Sequence, residues 1–361
     1  MSWVDGWQRQ KRRWEKFTWY QIARPRMLAN LARNLRECSR GETVLRSRPW
    51  NVIVELTANC NLKCAMCTVG QAGYDPAKEM NWNLFTRIER ELFPLALMVD
   101  LRSQGESTIA RHWQDALEFI RPYRARFSIT TNGMKITPDL ADRLASQHFA
   151  ITVSFDGATK STFEAIRGGS DFERICNNVR LLAQARRKYR GPERNLALRV
   201  TAQRDNLEQL PAIVELAHQM GVRVVHIQPI CIDDDRNLKH HIVLARQQLL
   251  QAQKRGHELG LVEVEIPRLD LLPGADPEPS PPPQFSKRDT FCNDPWKTIN
   301  IAYDGRVYAC CYGNMPLLGD LNSASFEEIW NGDRYRRLRA DVNSNHPWPE
   351  CRICYPKNRY G

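Results

Sequence analysis

No apolar run in this 361-residue chain approaches the ~20 residues that a membrane-spanning helix requires. The longest candidate, Leu92 to Leu101, is interrupted by Pro94 and Asp100. The stretch from Met1 to Trp7 lacks the apolar segment of a secretion signal, so the expected location is the cytoplasm. No internal repeat is visible, which sets aside solenoid and propeller architectures. Acidic residues are in deficit, 41 against 52 Lys and Arg, but the surplus is local. Residues 1–48 hold 12 basic and 4 acidic side chains (net +8), leaving +3 for the other 313. A specific nucleic-acid binder spreads positive charge over its working face, so this pattern argues against one. Hydrophobic residues at 42% and charged residues at 26% are those of a folded globular chain, and the length predicts more than one domain.

Cysteine is not scarce: there are 11. In a reducing compartment such a number points to metal binding or catalysis rather than disulfides. Cys38, Cys176 and Cys231 stand alone and read as small buried hydrophobes. The others fall into two groups, one near residue 60 and one beyond residue 290.

Between the groups, β-rich runs alternate with helical stretches. Strands are expected at Asn51–Leu56, Leu95–Leu101, Phe127–Thr131, Ala150–Phe155, Leu196–Ala202 and Val222–Gln228. Helices are expected at 82–92, 111–121, 138–147, 171–189 and 207–220. Thr137-Pro138 supplies a helix cap with proline at the first helical position, and Gly221 a stop. This alternation predicts parallel β/α units, closing as part of a barrel or remaining an open sheet. A helix at 240–258 and a strand at 262–266 follow, and then the proline-rich run 273–283, read as an extended linker. Lys297–Ala302 and Arg306–Ala309 flank Asp304-Gly305 as a hairpin, followed by a helix at 325–339. The expected division is a basic helical arm 1–48, a core 49–235, a connecting region 236–290 and a cysteine-rich unit 291–361. In the arm, Trp3, Trp7 and Trp14, and then Leu28, Leu31 and Leu35, recur at helical spacing among basic residues. Such helices pack on the core with a solvated basic face, or bind an anionic partner or membrane surface.

Cys60, Cys64 and Cys67 follow the first strand directly, at the strand end where β/α folds place active sites. Three thiolates leave one iron of a four-iron cluster open to a further ligand. A partial zinc site is the alternative. Cys292 and Cys310 bracket the hairpin, and Cys351 and Cys354 form a CxxC, completing four thiolates for zinc or an iron–sulfur cluster. Cys311 neighbours Cys310, and adjacent strand side chains point to opposite faces, so Cys311 is not read as a ligand and is kept only as the substitute for Cys310.

The first cysteine group resembles the signature of the radical S-adenosylmethionine (radical SAM) superfamily, and later segments extend the resemblance. Gln104-Gly105-Glu106 is similar to the family's Gly-Gly-Glu motif, without its first glycine; Thr131-Asn132-Gly133 and Ser154 to Gly157 resemble two further turns. Cofactor contacts are implied for Gly105, Glu106, Ser154 and Arg167, and more loosely for Thr201, Asn206 and His226. The tail resembles the SPASM extension or its truncated twitch form: Cys292, Gly305 and Cys310 match its spacing. The implied fold is a partial (β/α)6 barrel with a small α+β auxiliary domain. The implied cofactors are a [4Fe–4S] cluster with an open iron, SAM, and a second, auxiliary [4Fe–4S] cluster. An electron donor such as flavodoxin or ferredoxin is implied as a partner.

On this reading SAM is cleaved reductively and a hydrogen is taken from a substrate carbon. A small polar, sugar-like or aminocyclitol substrate is slightly favoured, because the arm is short for a peptide-recognition domain. Modification of a ribosomal peptide is the alternative, and a zinc-stapled binding protein without catalysis is the second. No acid or base is singled out; Asp233, Asp234, Asp235, Tyr303 and Asp304 fall near the expected mouth.

Overall fold

The computed structural model describes residues 25–102, 104–232, 234–267, 291–310 and 316–354, with residues 352–354 described through their backbone only. The tryptophans of the arm, the proline-rich linker, Asp233 and Cys311 lie outside the described residues.

Helix α1 (Pro25–Ser39) leads into strand β1 (Asn51–Val54). Then come the short β2 (Lys63–Cys64), α2 (Trp82–Leu92), β3 (Met98–Asp100), α3 (Trp113–Phe119), β4 (Arg126–Thr131) and α4 (Pro138–Ser146). Strand β5 (Ala150–Ser154) is followed by α5 (Lys160–Ile166), the short β6 (Arg167–Gly168), α6 (Phe172–Lys188), β7 (Leu196–Ala202), α7 (Leu210–Gln219), β8 (Val224–Pro229), α8 (Ile242–Glu258) and β9 (Glu263–Glu265). The tail contributes α9 (Asp294–Lys297), β10 (Thr298–Ile301), β11 (Arg306–Tyr308), β12 (Gly319–Asp320), α10 (Phe326–Trp330), α11 (Asp333–Asp341) and α12 (Pro349–Cys354).

The six expected core strands pair in parallel in chain order, β1-β3-β4-β5-β7-β8, giving the partial-barrel sheet. β9 adds a further parallel strand at one end. At the other end β10 pairs in parallel with β1, so the hairpin β10–β11 and β12 continue the same ten-stranded sheet. The cysteine-rich tail is thus built onto the core sheet.

Alternation sorts each strand's side chains between two environments. Val52, Val54, Val99, Phe127, Ile129, Ile151, Val153, Leu198, Val200 and Ile227 enter the apolar core beneath the helices. On the opposite face, Asp100, Ser128, Thr152, Ser154, Arg199, Thr201 and His226 remain half-buried, giving the sheet a polar inner wall.

Four expectations change. Cys231, read as a small buried hydrophobe, is exposed, and of the three lone cysteines only Cys176 is buried. Helix α5 had no counterpart in the pattern, although Thr159 caps it by accepting from the Thr162 N–H at 3.4 Å. The helix expected at 325–339 divides into α10 and α11 at Asn331-Gly332. In α1 the leucines do not face the core: Leu28 and Leu35 are 38% and 54% exposed, whereas Met27, Asn30, Asn34 and Glu37 are buried. The inward polar groups are satisfied. The Asn30 amide donates to Arg48 O (3.0 Å) and accepts from Arg48 N (2.9 Å). Asn34 donates to Trp296 O (2.6 Å) and accepts from the Trp50 ring N–H (3.1 Å). Glu37 accepts from Arg46 N (2.9 Å) and Ser47 N (3.2 Å). Hydrogen bonding, not apolar burial, therefore orients this helix.

Candidate active site at the mouth of the barrel

The loop carrying Cys60, Cys64 and Cys67 leaves the C-terminal end of β1, and all three are free, half-buried thiols. Its middle is clamped by the β2–β6 ladder, which sets Cys64 opposite Arg167, and by Ala65 N donating to Ile166 O at 2.8 Å. Donors gather around the sulfurs. Leu62 N lies 3.4 Å from Cys60 Sγ, the Asn132 amide 4.0 Å from Cys60 Sγ, and the Arg167 guanidinium 4.0 Å from Cys64 Sγ. Burial holds the Cys60 and Cys64 thiols above their ordinary pKa, so ligating a metal must release their protons. Three soft sulfur ligands on one short loop, with N–H donors turned toward them, suit an iron–sulfur cluster.

Gln104-Gly105-Glu106 docks against this loop. A Cβ on Gly105 would sit 2.0 Å from Asn59 O, so only glycine allows the approach, and Glu106 N donates to that same oxygen at 2.7 Å. Glu106 is 3% exposed and accepts from Thr131 Oγ1 (2.7 Å), Asn132 N (2.6 Å) and Thr108 Oγ1 (2.6 Å). It pins the Thr131-Asn132 turn beside Cys60. This leaves a buried carboxylate beside the three-cysteine loop.

Arg167 and Asp156 form an ion pair at 2.7 Å with side chains 9% and 0% exposed. Asp156 also accepts from Thr201 N at 2.7 Å. The chain of contacts thus runs from β7 through Asp156 and Arg167 to Cys64. Ser154 closes β5 opposite Arg199, half-buried on the inner wall. Asn206 is 1% exposed, and its amide is committed: it accepts from Gln203 N (2.9 Å) and donates to Asp156 O and Thr201 O (both 3.0 Å). Its place is that of a strut beneath Thr201. His226 lies further along the inner wall between Glu263 (3.9 Å) and Glu265 (3.8 Å).

In the tail, Asn343 clasps Cys292, accepting from its N–H at 2.7 Å and donating to its carbonyl at 2.9 Å. Asn300 holds the Cys310 carbonyl at 3.1 Å, and Cys351 opens its helix by donating to Trp348 O at 2.9 Å. Cys292, Cys310 and Cys351 are half-buried; Cys354 falls on α12, with its side chain outside the described residues. Asp234 is paired with Arg236, Asp235 with Arg204, and Asp304 with Arg306.

Glu55 went unremarked in the sequence. It is 7% exposed and accepts from Gln104 N (2.7 Å) and Tyr303 N (3.3 Å). Burial raises its carboxyl pKa against the pull of those two N–H groups. Its one signal is a carboxylate inside the otherwise apolar run Val52–Leu56.

A parallel half-barrel carries a three-cysteine loop at its mouth, and a cysteine-bearing hairpin extends its sheet. Residues 54–217 match the model of the Radical SAM superfamily, and residues 292–355 match SPASM, an iron–sulfur cluster-binding domain. The chain belongs to the radical SAM superfamily, in its SPASM-bearing branch, with SAM and iron–sulfur clusters as cofactors. It is similar to the mycofactocin maturase of Mycobacterium tuberculosis, 29% identical over 178 residues, or 48% of this chain and 44% of that protein. The chain thus spans under half of that relative's length. The AdoMet-dependent heme synthase of Methanosarcina barkeri is 27% identical over 340 residues, covering 82% and 86% of the two chains. Among solved structures, SuiB of Streptococcus suis bound to S-adenosylmethionine superposes with a TM-score of 0.65 at 14% identity, covering 87% of this chain and 72% of that one. Among the described residues, no helix is long and apolar enough to cross a membrane.

Proposed function

We propose that this enzyme modifies a peptide by radical chemistry, with Cys60, Cys64 and Cys67 holding the first cluster and Cys292, Cys310, Cys351 and Cys354 an auxiliary one. The observation that carries the substrate class is the set of relatives. Alongside the mycofactocin maturase stands a subtilosin biosynthesis protein of Bacillus subtilis, 21% identical over 80% of this chain, and the same fold occurs in SuiB bound to a precursor peptide, at a TM-score of 0.64. These fit a peptide better than the sugar-like substrate that the sequence alone favoured.

Cys60, Cys64 and Cys67 would hold a cluster that, with SAM bound and one electron from an external reductant, would supply hydrogen abstraction from an unactivated carbon. The protein's own groups provide orientation and exclusion of water. Glu106 presents a buried carboxylate to the methionyl amine while fixing Thr131 and Asn132. Arg167, neutralised by Asp156, sets its guanidinium beside Cys64. Ser154 and Thr201, on adjacent strand ends, line a polar wall that would face the nucleoside. The half-buried inner face, with Arg199 and His226, offers polar contacts to a peptide backbone.

The test is anaerobic co-expression with a short open reading frame adjoining the gene, followed by mass spectrometry of the peptide. A SAM-dependent mass change lost in the Cys60/Cys64/Cys67→Ala variant supports the reading. The heme synthase, which aligns over most of both chains, favours a second reading, a tetrapyrrole substrate. Turnover of a tetrapyrrole carboxylate with no peptide change would select it.

A further inference from the structure

Glu55 joins two parts that the fold keeps separate in sequence. One carboxylate oxygen accepts from Gln104 N, at the head of the Gln104-Gly105-Glu106 loop. The other accepts from Tyr303 N, at the turn of the β10–β11 hairpin that leads to Cys310. The backbone makes the same link, since Glu55 N donates to Ile301 O at 2.9 Å. Downstream of Gln104, Glu106 grips Asn132, whose amide approaches Cys60 Sγ. A continuous series of contacts therefore runs from the hairpin of the SPASM domain to the first cysteine of the other cluster. A carboxylate buried to this degree is costly unless both oxygens are satisfied, and here each is satisfied by a different unit.

We propose that Glu55 is a positioning residue that couples the seating of the SAM-binding loop to the seating of the SPASM hairpin. The inference rests on the reading that Gly105 and Glu106 contact SAM. Ligand on the loop suppresses its opening; through the shared carboxylate the Tyr303 amide becomes harder to expose, and the dependence is reciprocal. In Glu55→Gln one oxygen becomes an NH2 donor facing an N–H donor, so the carboxamide keeps one partner and repels the other.

The test measures amide hydrogen exchange and SAM binding on the full chain with its clusters assembled. In the wild-type protein, SAM slows exchange at Tyr303 as well as at Gln104 to Glu106. In Glu55→Gln the Tyr303 response disappears, both amides exchange faster without SAM, and SAM binding, read from the perturbed signal of the reduced cluster, weakens by about ten-fold. Iron content stays unchanged, and 5′-deoxyadenosine formation at saturating SAM holds within about two-fold, so the loss falls on binding. A wild-type Tyr303 amide indifferent to SAM overturns the proposal, and that measurement stands even if the variant does not fold. An undiminished Tyr303 response in Glu55→Gln overturns it too. Glu106→Gln tests the underlying reading separately: unaltered SAM affinity there refutes the loop assignment itself, whatever Glu55 does.

Discussion

Replacing Gly105 by alanine tests the site with one methyl group. The added Cβ would fall 2.0 Å from Asn59 O, 2.7 Å from Asn59 C and 2.8 Å from Ala58 C, all backbone atoms that no rotamer change can move. Ordinary contact starts at 3.4 Å, so the loop must retreat by about 1.4 Å. That retreat breaks the 2.7 Å bond from Glu106 N to Asn59 O. One lost hydrogen bond of about 1 kcal/mol and about 1–3 kcal/mol of overpacking strain sum to roughly 2–4 kcal/mol. Function should suffer more, since displacing a positioning carboxylate by over an ångström costs about 100-fold in rate. The assays are the urea midpoint of the protein without clusters and, anaerobically, the rate of 5′-deoxyadenosine formation from SAM. Gly41→Ala is the control. Gly41 ends α1 at φ +67° with nothing within 4 Å of its would-be Cβ, so alanine there costs about 1 kcal/mol of stability and leaves SAM chemistry untouched. If Gly105→Ala forms product within about three-fold of wild type, the loop does not hold the cofactor and the reasoning fails.

Arg167→Met strands the Asp156 carboxylate and should lower stability by about 3–5 kcal/mol; adding Asp156→Asn should restore part of it, and a strictly additive double variant would contradict a coupled pair. Cys60/Cys64/Cys67→Ala should remove about four irons per chain, and Cys292/Cys310→Ala should remove the auxiliary set while sparing the first, both measured by iron analysis and visible absorbance. Cys38 and Cys176 are pushed by burial to about 11, so at pH 8.5 only about 0.3% is thiolate. Iodoacetamide should then label the exposed Cys231 long before either, and their labelling should rise about ten-fold per pH unit below 11. The same shift means that they support folding below the ordinary thiol value of 9.0 and lose that support as pH climbs through about 11.

Elements with strong local signals were legible. The six core strands are runs of β-branched and apolar residues, and α4 carries its Thr137-Pro138 start in plain view. Helix α5 escaped because seven residues between a turn and Arg167 have the length of a loop. The β2–β6 ladder is two residues on each side, too short to have a period, yet it fixes Cys64 beside Arg167. Cysteine spacing marks the candidate metal ligands because thiolates are few and their chemistry narrow. Glu55 stayed hidden because its partners are main-chain N–H groups 49 and 248 residues away, which leave no mark on composition or periodicity. The leucines of α1 misled for the converse reason: a sound apolar period was overruled by Asn30, Asn34 and Glu37, which find backbone partners on the other side.

That inverted helix has a consequence for biosynthesis. The carboxamide of Asn34 needs the carbonyl of Trp296, Leu45 and Asn331 exchange hydrogen bonds at 2.8 and 2.9 Å, and Arg339 donates to Thr43 O at 2.8 Å. A ribosome makes the two sides of these contacts 262, 286 and 296 residues apart. Helix α1 must therefore wait, Leu28 and Leu35 outward, until the chain has emerged past Trp296. Grafting the tail onto another barrel would leave it without this clasp unless the first fifty residues travelled with it.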